Sequence, residues 1–114
     1  MIADNGNVGI GTAYPERKFK VYENNASTHP NLELEQRGSG DATLSFLITN
    51  NRRYNVGVDN SDSDKFKIYS DNNNHVTGTG ITMDGSGNVG IGTNTPYSKL
   101  DVNGTLRIKA DPTG

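Results

Sequence analysis

The segment GNVGIGT stands at residues 6–12 and again at 87–93, an offset of 81. The match extends beyond it: Pro15 aligns with Pro96, Lys18 with Lys99, Phe19 with Leu100 and Val21 with Val102. The shared pattern is G-N-V-G-I-G-T-x-x-P-x-x-K-[FL]-x-V. A period of this kind reads as one structural module bounded by the same connector on both sides. Within each copy the apolar residues Val8 and Ile10, or Val89 and Ile91, alternate with glycine. In a strand, successive side chains point to opposite faces. One face of the connector therefore carries Val and Ile, and the other carries only hydrogen. A glycine face lets another backbone approach closely, but it weakens an isolated strand.

Gly85, Gly87 and Gly90 also satisfy G-x-G-x-x-G. A phosphate-binding loop must hand over to a helix whose N-terminus faces the anion. Here Thr93-Asn94-Thr95-Pro96 follows, and Pro disfavours helix at the residue before it. The next run, KLDVNG, alternates like a strand. The first copy has Asp4 where the second has Gly85, so it lacks the pattern altogether. The glycines are read as structural, and no cofactor is expected.

Composition points the same way. The chain has 114 residues, with 14 Gly, 15 Asn and only five Ala. Leu, Ile, Val and Phe together number 23, about a fifth of the chain. That is near the lower limit for a self-contained fold, and small domains already bury a modest share of their surface. One solution is a core shared among several chains. The formal net charge of −2, with Arg52-Arg53 the only close basic pair off the repeats, argues against nucleic acid as a partner. No run of 18 apolar residues exists, so no membrane helix is expected, and the N-terminus lacks a signal-peptide layout. The absence of cysteine excludes disulfides and thiolate metal sites.

No segment has capped helical periodicity. Short alternating runs recur instead, divided by Gly, Asn, Asp and Ser. They are KFKVY (18–22), NLELE (31–35), ATLSFLIT (42–49), YNVGV (54–58), KFKIY (65–69), GITM (80–83) and TLRIK (105–109). ATLSFLIT is the most apolar and is expected to be the most buried. RGSGD (37–41) and TNNRR (49–53) read as hairpin tips, with Asn or Gly taking positive φ. DNSDSD (59–64) and SDNNNH (70–75) are further breaks. The fold class is all-β, with eight or nine short strands. Three segments are expected: a first connector (1–24), an antiparallel meander or small sandwich (25–84) and a second connector (85–114), the connectors being extended glycine-faced strands.

Candidate sites are few. Asp59, Asp62 and Asp64 sit within six residues, but the spacing is not that of an EF-hand, and a solvated turn is the preferred reading. His29 and His75 are far apart and form no metal-ligand pattern. Glu33 and Glu35 alternate with leucines as the wet side of a strand. No catalytic or metal-binding residues are assigned, and the chain is not read as an enzyme. Asn25 and Asn103 fit the glycosylation sequon and mark turns. Arg52, Arg53 and Tyr54, with Tyr69 and Asn72, are candidates for an exposed receptor-facing patch in loops; ordinary hairpin decoration is the competing reading.

The connector GNVGIGTNTPYSKLDVNGTLRIKA resembles a segment that recurs in tail fibre and tail spike proteins of phages and phage-like particles. There it often lies upstream of an intramolecular chaperone of the endosialidase type. The middle block ATLSFLITNNRRYNVGVDNSDSDKFKIYSDN resembles the same family through its apolar strand, the Gly57-Val58-Asp59 turn and the Phe66-Lys67-Ile68 strand. The resemblance implies an elongated, intertwined homotrimeric β fibre in a virion, extracellular after assembly in the host cytoplasm. Its partners would be two further copies, neighbouring fibre segments and a host surface glycan or protein. The chain ends at DPTG with no chaperone segment, so a fragment or processed piece is expected. The residues expected in the shared interior are Val8, Ile10, Phe19, Val21, Leu44, Phe46, Ile48, Val56, Phe66, Ile68, Val89, Ile91, Leu100 and Val102. The alternative is an adhesin module binding carbohydrate or cell-surface protein.

Overall fold

The computed structural model describes residues 1–26, 28–71 and 80–110. Within these, eight strands form and no α-helix: β1 (Val8–Ile10), β2 (Phe19–Val21), β3 (Ala42–Leu47), β4 (Arg53–Asp59), β5 (Lys65–Asp71), β6 (Ile81–Met83), β7 (Val89–Ile91) and β8 (Leu100–Val102). The chain is therefore all-β. It divides into two compact units, Met1–Leu34 and Glu35–Gly114.

The first unit holds β1 and β2 as a parallel pair, with Val8 opposite Phe19 and Ile10 opposite Val21. Ile2 bridges Val8 from the other side. The second unit holds one sheet in the order β3-β4-β5-β6-β7-β8. Its first five strands are an antiparallel meander; β7 and β8 are parallel, with Val89 opposite Leu100 and Ile91 opposite Val102. The pairing of Ile81 with Ile91 carries the sheet across residues 84 and 85.

The repeat in sequence is a repeat in structure. Val8 N donates to Lys18 O as Val89 N does to Lys99 O, and Tyr22 N donates to Ile10 O as Asn103 N does to Ile91 O. Gly6 and Gly87 close the preceding turns at φ 75° and 73°, a conformation that side chains resist. Each connector is thus a strand, a loop and a second strand lying parallel to the first, rather than one extended strand. Parallel neighbours usually need a connection of roughly a dozen residues or more. Residues 11–18 and 92–99 suffice because each strand has only three residues and so spans about 10 Å.

The glycine face has a specific occupant. A Cβ on Gly90 would lie 2.5 Å from Thr93 O, and one on Gly9 would lie 2.5 Å from Thr12 O. The backbone that approaches is the connector's own return loop.

Several expectations are corrected. NLELE and TLRIK form no strand, because alternation supplies an amphipathic face but not a ladder partner. RGSGD consequently tips no hairpin. ATLSFLIT is a strand only to Leu47, and it is the least covered long strand, since it forms one edge of the sheet. Of the two forms expected for the middle block, the described residues form the antiparallel meander, in one sheet. TNNRR does turn between β3 and β4, with Asn50 at φ 60°.

Candidate functional site

The register sorts the six-stranded sheet into two unlike faces. One row runs Leu44, Val56, Ile68, Ile81, Ile91, Val102 across all six strands. A second runs Ala42, Val58, Phe66, Met83, Val89, Leu100 on the same face. Phe46 and Tyr54 extend this face beside the β3–β4 turn. In the first unit, Val8 and Phe19, then Ile10 and Val21, repeat the end of these rows. The alternate positions, Thr43, Asn55, Gly57, Lys67, Thr82, Gly90 and Asp101, make up the other face.

The burial is opposite to that of an ordinary globular sheet. Phe46 is 58 % exposed and Ile68 42 % exposed, whereas Thr82 is 3 % and Asp59 4 % exposed. Among the described residues Tyr69, at 7 %, is the one buried hydrophobic residue, and it lies on the polar face. Fully burying a Leu, Ile, Val or Phe side chain is worth about 1.5–3 kcal/mol. Roughly half of that remains unrealised at each exposed position, so the two rows together leave on the order of 10 kcal/mol. That equals the whole stability of a typical domain.

From β4 to β7 the polar face is covered by its own chain, whereas on β3 Thr43, Ser45 and Leu47 are exposed. The turn after β4 is a single 3₁₀ turn, Asn60–Asp62, capped by Asp59, whose Oδ1 accepts from Asp62 N at 3.2 Å and Ser61 Oγ at 2.6 Å. Ser63 and Asp64 adopt left-handed backbone (φ 58° and 57°) and return the chain into β5. Lys67 Nζ donates to Asp59 Oδ2 at 2.8 Å and also meets Asp62. Lys65 Nζ bridges Asp62 Oδ1 and Asn94 O, each at 2.8 Å. Thr82 Oγ1 donates to Asn94 Oδ1 at 3.3 Å. The acidic turn and the TNTP loop of the connector therefore meet over β5 and β6.

Electrostatics follow from this geometry. Burial alone would raise the Asp62 carboxyl, but hydrogen bonds and charge from Lys65 and Lys67 outweigh it and hold it below the ordinary value. Burial alone would likewise lower Lys67, yet Asp59 and Asp62 together raise it. The Asp84 carboxyl is lowered because it accepts from Asn88 N and Ser86 N, both at 2.9 Å. Asp59 and Asp62 are thus ion partners of lysines. Among the described residues no group of three or more acidic or histidine side chains is gathered as metal ligands. His29 lies in the first unit; His75 lies outside the described residues.

The expected interior residues of the second unit all fall on the apolar face or, for Ile48, just beyond the end of β3. Ala42, Val58, Ile81 and Met83 join them. The alternation of YNVGV and GITM already carried the signal for the last three. The expected receptor patch is not brought together. Tyr54 pairs with Ser70 and Asn55 with Tyr69, so the two tyrosines lie on opposite faces. Both stand in strands rather than loops, and Tyr69 is buried. Arg53 opens β4, Arg52 lies in the turn, and Asn72 lies outside the described residues. Arg52, Asn51, Ile48, Phe46 and Tyr54 line a groove at this turn.

No protein-family model matches the chain, and no curated protein matches it.

Proposed function

We propose that the chain is a structural module of a phage or phage-like tail fibre, in which three copies bury their apolar sheet faces against one another. The module would form a stiff shaft segment or small knob and carry or present a receptor-binding surface on the virion. One observation carries this reading: the continuous apolar face lies uncovered in the single chain while the opposite face is covered from β4 to β7. A face of this extent, well beyond scattered exposed leucines, marks an interaction surface. A second copy of the same face is the simplest match, and homo-oligomers with closed symmetry are the commonest assemblies. The resemblance of the connector supplies the number three. Sedimentation equilibrium of the purified chain tests the reading. A mass near three chains that persists on dilution supports it; a folded single chain at all concentrations refutes it.

A second reading, an adhesin module, is favoured by the groove at the β3–β4 turn, where Arg52 stands beside Tyr54 and Phe46. The two readings compete for Tyr54, which belongs to both the groove and the apolar face. A glycan array on the purified chain and its Tyr54→Ala variant separates them: binding lost without change of mass would favour the adhesin.

A further inference from the structure

We infer that residues 31–36 are a donor strand that pairs with the open edge of β3 in a second copy of the chain. Among the described residues β3 ends the sheet and has a strand on one side only. Ile48 N donates to Arg52 O. By the alternation of an antiparallel ladder, the backbone groups of Thr43, Ser45 and Leu47 therefore face the open edge. That edge, ATLSFL, has no charge and no proline, the usual devices that prevent another strand from adding.

The same chain contains a segment suited to this edge. Residues 31–36 read NLELEQ and belong to no strand, and Leu32 and Leu34 are exposed. Antiparallel addition with Glu33 and Glu35 opposite Thr43 or Ser45 places both leucines on the apolar face, beside Leu44 and its neighbours. The rows of that face then gain a seventh strand, and the glutamates stay on the polar side. A slip of one residue would reverse this and bury both carboxylates.

A hairpin within one chain is the obvious alternative, since only residues 37–41 separate the two segments. Those residues form no hairpin turn. Gly38 N donates to the Gln36 side chain at 2.9 Å, and Asp41 Oδ1 accepts from Asn60 N at 2.9 Å, which ties the start of β3 to the acidic turn instead. Among the described residues the donor joins no ladder of its own chain, and another copy supplies the edge. Addition of an extended segment to a sheet edge is a common mode of protein recognition. This inference rests on the fibre reading only for the presence of further copies.

The chain holds no cysteine, so disulfide trapping is clean. Glu33→Cys is combined in turn with Thr43→Cys, Ser45→Cys and Leu44→Cys, and oxidised protein is resolved on a non-reducing gel. Directly opposed residues lie about 5.5 Å apart between Cα atoms, within disulfide range. The expected result is a ladder of two- and three-chain species with Thr43→Cys or Ser45→Cys and none with Leu44→Cys. Links confined to single chains, equal linking by Leu44→Cys, or no link in any pair would overturn the inference. Glu35→Cys replaces Glu33→Cys if any pair lowers the melting temperature before oxidation. Wild-type mass is measured alongside. A multi-chain wild type with intrachain links removes strand donation alone, whereas a single-chain wild type removes the fibre reading as well.

Discussion

Lys67 Nζ lies 2.8 Å from Asp59 Oδ2 across the β4–β5 hairpin, and both side chains are withdrawn from solvent (10 % and 5 % exposed). The residue directly opposite Lys67 is Gly57. The ammonium reaches diagonally to the capping aspartate, two residues further along β4. This pair joins the acidic turn to the polar face.

Lys67→Met removes the cation and leaves Asp59 buried without it. Breaking a buried pair from one side costs about 3 kcal/mol or more. Urea unfolding should show a loss of that order with an unchanged m-value. A loss below the level of surface substitutions, about 0.5 kcal/mol, would mean that the pair contributes little.

The same cluster sets a pH window. Asp62 is held below its ordinary value in the folded chain, so its contribution is present above the ordinary carboxylate range, about pH 4, and disappears as pH falls towards the lowered value. Lys67 is raised, so its contribution is present below about pH 10.4 and disappears as pH rises through the raised value. Melting temperature should be flat between these limits and fall on both sides. In Lys67→Met the alkaline fall should shrink.

Gly90→Ala and Gly85→Ala make a matched comparison. A Cβ at Gly90 meets Thr93 O at 2.5 Å, whereas one at Gly85 meets nothing within 4 Å. Forcing the return loop outwards should cost about 1–3 kcal/mol at Gly90. Gly85→Ala should be neutral or slightly stabilising. Equal effects in thermal melts would contradict the close approach of loop and strand.

Ile68→Asp puts a charge in the middle of an apolar row that crosses all six strands, between Val56 and Ile81. Burial of an unpaired carboxylate is prohibitive. The variant should sediment as single chains and lose cooperative melting. Lys99→Ala removes a hydrogen bond to Ser86 O on the exposed outside of the connector and should leave the mass unchanged.

Much of this architecture was legible in the sequence, for identifiable reasons. The connector declared itself because two copies constrain each other, and strands β3 to β8 follow alternation with period two. Sequence alternation is blind to pairing partners. It therefore could not tell Phe66, which has β4 and β6 on either side, from Leu32, which has neither. The parallel return of each connector escaped because nothing in G-I-G-T-x-x-P states that the loop folds back onto Gly90. The tyrosine patch failed through register: Tyr54 and Tyr69 are one step out of phase across β4 and β5. The lysine–aspartate cluster escaped because Lys65 and Lys67 look like the solvated side of a strand until the acidic turn is seen to lie over them.

The proposed burial of the apolar face between copies is most directly read from the reactivity of a single thiol. Ile68→Cys places the thiol in that face, and Asp64→Cys places one on the exposed turn as a reference. Under native conditions the account predicts that maleimide labels the Ile68→Cys protein far more slowly than the Asp64→Cys protein, and that denaturant abolishes the difference. Equal labelling rates in the native state would contradict it.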